Sequence, residues 1–341
     1  VSPPQESIQG TQWWTSYQPV SYKLDSKLGT EAEFKNMIKQ CNAVGVDIIA
    51  DVVLNQTTGA DVADGKQTGV AGTEYNGSTG DYPGFATEQY PEGITASDFH
   101  SCSKNISNYA NQQEVQECRL SSMWDFDSES EKVQDIQSDY LAALWNAGVR
   151  GFRMDAVKHI HTDSMRAIKE KFAKKIGVNA DSIYWIQEVI GNSSEAAGIQ
   201  PSNYVQNGTV TEFGFKSEMN QTFKDKIANL KGLNERLSKD LASEDANVFV
   251  TNWDTARNEG ALTYKDGAKY QLANAFMLAY DYGTPRLLSD YKWDENDNGA
   301  PGATATSVPD VNMDEVCSTN SSDWNCEQRW TSTRGMIAFR N

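Results

Sequence analysis

No stretch of this 341-residue chain runs for about eighteen apolar residues, so nothing in it is expected to cross a membrane. Positive charge is short as well: 30 lysines and arginines stand against 47 acids, a net charge of −17. Phosphate backbones need a basic face, which argues against a nucleic-acid partner. The balance is compatible with a soluble protein acting on a neutral polymer, or with solubility alone. Histidine is scarce, with three in the chain, and no EF-hand pattern is present. The five cysteines are an odd count. Cys102 and Cys118 flank one polar loop and Cys317 and Cys326 another, which predicts two local disulfides and leaves Cys41 over. Sequons at Asn76, Asn105, Asn192, Asn207, Asn220 and Asn320 are consistent with secretion.

What is present suits a large core. Hydrophobic residues make up 38% and aromatic ones 10%, and the length suffices for one large barrel with a subdomain. Strand-like segments recur at Val46 to Leu54, Gly148 to Met154, Ile183 to Val189, Thr209 to Phe215, Asn247 to Thr251 and Phe276 to Leu288. Helical periodicity lies between most of them, at Glu31 to Val44, Glu131 to Ala147, Ser164 to Ile176 and Gln271 to Ala279. Strands alternating with helices imply an α/β fold with a parallel sheet. From about Thr57 to Met123 the rhythm breaks into Gly, Asn, Ser, Thr and Asp, the mark of a long and usually functional insertion.

The most informative stretch is Gly151-Phe152-Arg153-Met154-Asp155-Ala156-Val157-Lys158-His159. Side chains alternate along a strand, so Arg153 and Asp155 share one face while Phe152 and Met154 point the other way. A carboxylate beside a guanidinium is expected to stay ionised, as a nucleophile must; the bland alternative is a buried structural ion pair. Tyr184-Trp185-Ile186-Gln187-Glu188 ends a second apolar run in a carboxyl, and Asn247-Val248-Phe249-Val250-Thr251-Asn252-Trp253-Asp254 ends a third. The apolar residues before Glu188 are expected to raise its pKa into an acid/base range. Three acids at the ends of three strands point to glycoside chemistry on a (β/α)8 barrel.

With those segments stand Val1-Ser2-Pro3-Pro4, Trp13-Trp14, Tyr17-Gln18-Pro19-Val20-Ser21-Tyr22-Lys23-Leu24, Asp51-Val52-Val53-Leu54-Asn55, Cys118-Arg119-Leu120-Ser121, Val210-Thr211-Glu212-Phe213 and Trp324-Asn325-Cys326-Glu327-Gln328-Arg329-Trp330. In this order and spacing the whole chain resembles the α-amylases of glycoside hydrolase family 13, especially their animal-type, chloride-binding branch. The resemblance implies a (β/α)8 barrel over residues 1–56 and 124–341, with a domain B insertion over 57–123. It also implies that the first strand and most of the second are missing, along with a C-terminal β-domain, so that the chain is a fragment; the rival expectation is a naturally short barrel. Cys41 would pair with a cysteine upstream of Val1.

By the same resemblance, Asp155 is the nucleophile, Glu188 the acid/base, and Asp254 the carboxyl that grips sugar hydroxyls and steadies the transition state. Trp14, Tyr17, Gln18, Gln56, Arg153, Lys158, His159, Ile190 and Trp253 would meet the sugar. Structural calcium would take side-chain oxygens of Asn55 and Asp125 and backbone oxygens of Gln116 and His159. Activating chloride would sit with Arg153, Asn252 and Arg286. The family's histidines after Asn55 and Asn252 are replaced here by Gln56 and Trp253. Glutamine still donates and accepts, whereas tryptophan is larger and only donates. The expected activity is retaining endo-hydrolysis of α-1,4-glucosidic bonds in starch, glycogen and maltooligosaccharides by a secreted protein, monomeric when full length. A catalytically weakened glucan-binding paralogue and a transglycosylase remain as alternatives.

Overall fold

The computed structural model describes residues 1–341 apart from 238, 240, 259 and 319–322, so the Asn320 sequon lies outside the described residues. Two compact units divide the chain: residues 1–208 with 302–308, and residues 209–301 with 309–341.

The first unit opens with helix α1 (Glu31–Ala43), started by a capping box between Thr30 and Glu33. It leads to strand β1 (Ile49–Val52). Strands β2 (Gln56–Gly59), β3 (Gln67–Thr68) and β4 (Glu74–Tyr75), helix α2 (Gln112–Glu117) and strand β5 (Met123–Asp125) follow. Then come α3 (Glu131–Asn146), β6 (Gly151–Met154), α4 (Thr162–Ile176) and β7 (Tyr184–Gln187). Strands β1, β6 and β7 are parallel neighbours, with Asp51 opposite Arg153 and Arg153 opposite Ile186. A Cβ at Gly151 would crowd this seam, 2.6 Å from Ile49 Cδ1 and 3.0 Å from Tyr184 Cβ. The expected alternation holds. Phe152 turns outward, its ring edge-on to Phe172 of α4 at 5.3 Å and to Trp185 at 5.9 Å, while Arg153 turns inward to carboxylates.

The stretch between β2 and β5 packs around an aromatic cluster that Val20 and α3 residues Val133 and Ile136 complete. The two strands pair antiparallel. Tyr75, Tyr82, Phe85, Ile94, Phe99 and Phe126 form one buried cluster. The anchors come from short elements and loops at uneven spacings, so no period marks the cluster. The six-residue α2 within it was not expected, being too short to show helical periodicity. Cys102 and Cys118 are joined, as are Cys317 and Cys326, and Cys41 is free. All three outcomes match the expectation.

In the second unit, β8 (Thr209–Glu212), β9 (Ala246–Val248) and β10 (Thr284–Pro285) run parallel, β9 between the others. The helices are α5 (Phe213–Asn220), α6 (Leu233–Leu237), α7 (Thr255–Asn258), α8 (Ala268–Ala279), α9 (Met313–Ser318) and α10 (Thr331–Arg340). Two strand expectations are corrected. Phe213 to Phe215 begin α5, because the Glu212 side chain accepts from Gly214 N and caps a helix there. Phe276 to Ala279 belong to α8, leaving only Thr284 and Pro285 as strand; an apolar run of that length does not by itself distinguish strand from helix.

A buried acid cluster in this unit gives a pH prediction. Arg257 faces Asp290, whose backbone N–H donates to Glu327 Oε2 at 3.0 Å. Burial, helped by the Asp290 charge and opposed by backbone hydrogen bonds, pushes Glu327 up to about 8 from 4.5. A carboxyl raised on folding binds its proton more tightly in the native state. Its contribution to stability is therefore present at low pH and declines as pH climbs from the unfolded value through about 8. Each tenfold gain in proton affinity on folding is worth about 1.4 kcal/mol. Glu327→Gln is expected to raise the urea midpoint at pH 8 and leave it nearly unchanged at pH 4.5. Equal changes at both pH values would refute this.

Candidate active site

Parallel pairing continues past the strand ends and fixes the two residues that matter. Asp155 N donates to Val52 O at 2.9 Å, Glu188 N to Met154 O at 3.0 Å, and Val157 N to Glu188 O at 2.9 Å. Between them Ala156 adopts a left-handed conformation (φ 50°, ψ 37°), uncommon for a residue with a Cβ. The bend presents its N–H to Glu188 Oε2 at 2.9 Å.

Arg153 is the hub. Its Nη1 lies 2.8 Å from Asp155 Oδ1 and 2.8 Å from Asp51 Oδ1, and its Nη2 lies 2.8 Å from Glu188 Oε1. One guanidinium thus faces three carboxyls, in a setting where Arg153 is 5% and Asp155 9% exposed. A single positive charge does not neutralise three negative ones. Burial, and then the Glu188 charge, push Asp155 well above the usual carboxylate range although Arg153 pulls it down. The expectation that Arg153 keeps Asp155 ionised thus meets an opposing influence, since burial and the neighbouring carboxyls raise Asp155 against the pull of the guanidinium.

Around this centre, Gln56 is buried and its Nε2 donates to Asp155 Oδ2 at 3.3 Å and to Tyr17 O at 3.1 Å. Tyr17 donates to Asp51 Oδ2 at 2.7 Å and meets Trp13 edge-on at 6.1 Å. Trp14 is half-buried on the same short 3-10 turn. Gln18 Oε1 accepts from Gly59 N at 3.1 Å, which ties that turn to β2. Lys158 is buried, ion-paired with Glu195 and 5.4 Å from the Tyr109 ring centre. His159 is buried too; its Nδ1 is 2.9 Å from Val115 O, and burial lowers it to about 4, so the ring is neutral. Ile190, just beyond Glu188, is exposed.

In the second unit Asn252 Oδ1 accepts from Asp254 N at 3.1 Å and Thr255 N at 2.8 Å, starting α7. Asp254 Oδ1 accepts from Asn258 Nδ2 at 2.6 Å. The Arg286 guanidinium lies 5.7 Å from the Trp253 ring centre, and Arg257 Nη1 donates to Trp253 O at 2.8 Å. With its oxygen used for capping, Asn252 keeps Nδ2 buried with no hydrogen-bond partner among the described residues.

The residues expected to hold calcium all belong to the first unit. Asp125 Oδ1 and Asn55 Nδ2 are buried with no hydrogen-bond partner among the described residues. An amide's two ends exchange by a flip, so Asn55 can present oxygen instead. Burial drives Asp125 up to about 7 against the pull of His100, whose Nδ1 is 2.7 Å from Oδ2. A buried carboxylate with an idle oxygen is a fit for a hard cation. Gln116 lies in the last turn of α2, where carbonyls have no helical donor.

Asp51, Glu195 and Tyr109 were not foreseen as site residues. For Asp51 a signal existed, since it precedes Val52-Val53 on a strand and faces the side that Arg153 faces. Glu195 and Tyr109 lie in aperiodic loops and carry no such mark.

The alpha-amylase catalytic-domain model matches residues 6–287. An alpha-amylase of Streptomyces violaceus is 38% identical over 100% of this chain and 54% of its own length. One of Pecten maximus is 36% identical over 100% of this chain and 68% of its own. The chain thus spans little more than half the length of the bacterial relative. The crystal structure of alpha-amylase I from Eisenia fetida superposes with a TM-score of 0.88 at 32% identity, covering 100% of this chain and 71% of that one. With a family model over most of its length, and a parallel sheet like that of the (β/α)8 amylase barrels, this chain belongs to the alpha-amylase family.

Proposed function

We propose that the chain carries the catalytic carboxyls of an endo-acting hydrolase of α-1,4-glucans that works with retention. The observation that carries this reading is the Arg153 guanidinium holding the Asp155 and Glu188 carboxyls on its two terminal nitrogens. Two carboxyls held on one guanidinium, one to attack and the other to donate a proton, are what double displacement needs. Glu188 gives its proton to the glycosidic oxygen as Asp155 Oδ2 attacks the anomeric carbon and the C–O bond to the leaving sugar breaks. Water, deprotonated by Glu188, then opens the glycosyl ester and frees Asp155. Asp254 is assigned to sugar hydroxyls. Lys158, Tyr109 and Glu195 form a contact set suited to a sugar on the leaving side. A mutant of the Eisenia fetida amylase is known as a maltohexaose complex, which supports a maltooligosaccharide as substrate. NMR of the first product from maltoheptaose should give the α-anomer; initial β-anomer would exclude retention.

A structural calcium ion would be held by Asn55 and Asp125 with carbonyls of Gln116 and His159, supplying countercharge to Asp125 and tying α2 to the end of β5. Excess chelator is then expected to lower the melting temperature by several degrees, through linkage between binding and folding. An unchanged midpoint would remove the ion from the reading. Chloride would suit Asn252 Nδ2 and the Arg286 guanidinium. Secretion fits two disulfides, which persist in oxidising compartments. Trp253 favours a second reading, a weakened glucan binder or transglycosylase. Product chromatography separates these: chain lengthening marks transfer, and binding without turnover marks a lectin-like role.

A further inference from the structure

We propose that His100, Asp127 and Glu129 form a second cation site, for a divalent transition metal of zinc's chemistry, with His161 bracing Glu129 from the other side. His100 Nε2 and one oxygen each from Asp127 and Glu129 all lie within 4.8 Å of one another. His100 Nε2 is 2.9 Å from Glu129 Oε2 and 3.7 Å from Asp127 Oδ1. His161 Nε2 approaches the other oxygen of the same carboxylate, Glu129 Oε1, at 3.1 Å. His161 thus holds Glu129 from outside the three-donor cluster, and the fourth position of the shell is left to water. Two of the chain's three histidines are spent here.

The far side of His100 strengthens the case. Its Nδ1 is held by Asp125 Oδ2 at 2.7 Å, which leaves Nε2 aimed into the cluster. A carboxylate behind an imidazole is the arrangement that fixes the tautomer and orientation of metal-bound histidine. The ligands come from two segments, and a third supplies the brace. His100 follows Phe99 and donates its N–H to Asp125 O at 3.0 Å, Asp127 and Glu129 precede α3, and His161 is the residue before α4. A metal here would clamp those segments together. The side chains of Asp127, Glu129 and His161 are 38%, 44% and 31% exposed, so an ion can enter from solvent.

Ligand chemistry decides which ion. Calcium takes oxygen ligands only, whereas zinc accepts imidazole and carboxylate together in a four-coordinate shell. The site is therefore distinct from the Asn55–Asp125 position in the ion it selects, although Asp125 touches both. The competing explanation is an ordinary network of ion pairs between cationic imidazoles and acids.

Zinc chloride titrated calorimetrically into the purified protein in saturating calcium tests this. One equivalent should bind with a Kd of about 1 μM or tighter. Cobalt(II) should give visible absorption bands of a low-coordinate site. Glu129→Gln combined with His161→Gln should weaken zinc binding at least tenfold, with the far-UV spectrum unchanged. His161→Asn alone, which removes only the brace on Glu129, should weaken it less than the double variant does. No zinc binding by the parent at ~100 μM, full affinity in the double variant, or displacement by millimolar calcium would each overturn the proposal.

Discussion

Glu188→Gln should lower kcat on soluble starch by about a thousandfold or more, and Asp155→Asn by at least as much, with both proteins folded. The two losses should differ in kind. An aryl maltooligoside with a good leaving group needs little protonation, so its single-turnover aryl release should be largely restored in Glu188→Gln but not in Asp155→Asn. Added azide should speed turnover of the glutamate variant further, because a small anion replaces the water that Glu188 would deprotonate. The geometry behind this is the shared Arg153, with Glu188 also held by Ala156 N–H and Asp155 by Gln56. If the aryl substrate rescues Asp155→Asn instead, the acid and nucleophile assignments are reversed. If neither variant loses activity, the carboxyl pair is structural.

Trp253→His should raise kcat/KM on starch by about a hundredfold, the scale of one hydrogen bond made to charge that develops in the transition state. The indole beside Asp254 donates through one N–H and cannot accept. Arg286 lies over its ring and Arg257 holds its backbone carbonyl. Gln56→His should change the rate much less. Gln56 Nε2 already reaches Asp155 Oδ2 at 3.3 Å, so a donor survives at that position. A Trp253→His protein that folds but gains nothing would mean that the indole serves a subsite of its own, and the impaired-amylase reading would fail.

Local signals in the chain carried far. Alternation at Phe152 to Asp155 told which residues face Arg153 and which face α4, because a strand's period is a property of the backbone. The helices α1, α3 and α4 showed in their apolar spacing, and the short loops between paired cysteines told which sulfurs meet. Other features had no local form. The aromatic cluster of Tyr75, Tyr82, Phe85 and Phe99 is built from single anchors at uneven spacings, so nothing periodic announces it. Glu195 reaches Lys158, and Gln56 reaches Asp155, only through the meeting of separate loops and strands. The electrostatics of the centre were decided by tertiary structure too. From sequence, Asp155 has one arginine neighbour two residues away and should be ionised. In the fold that arginine also serves Asp51 and Glu188, and burial with mutual repulsion outweighs its charge. The residue types and their faces are thus set by the chain, whereas how many charges share one counter-ion depends on three strands meeting side by side.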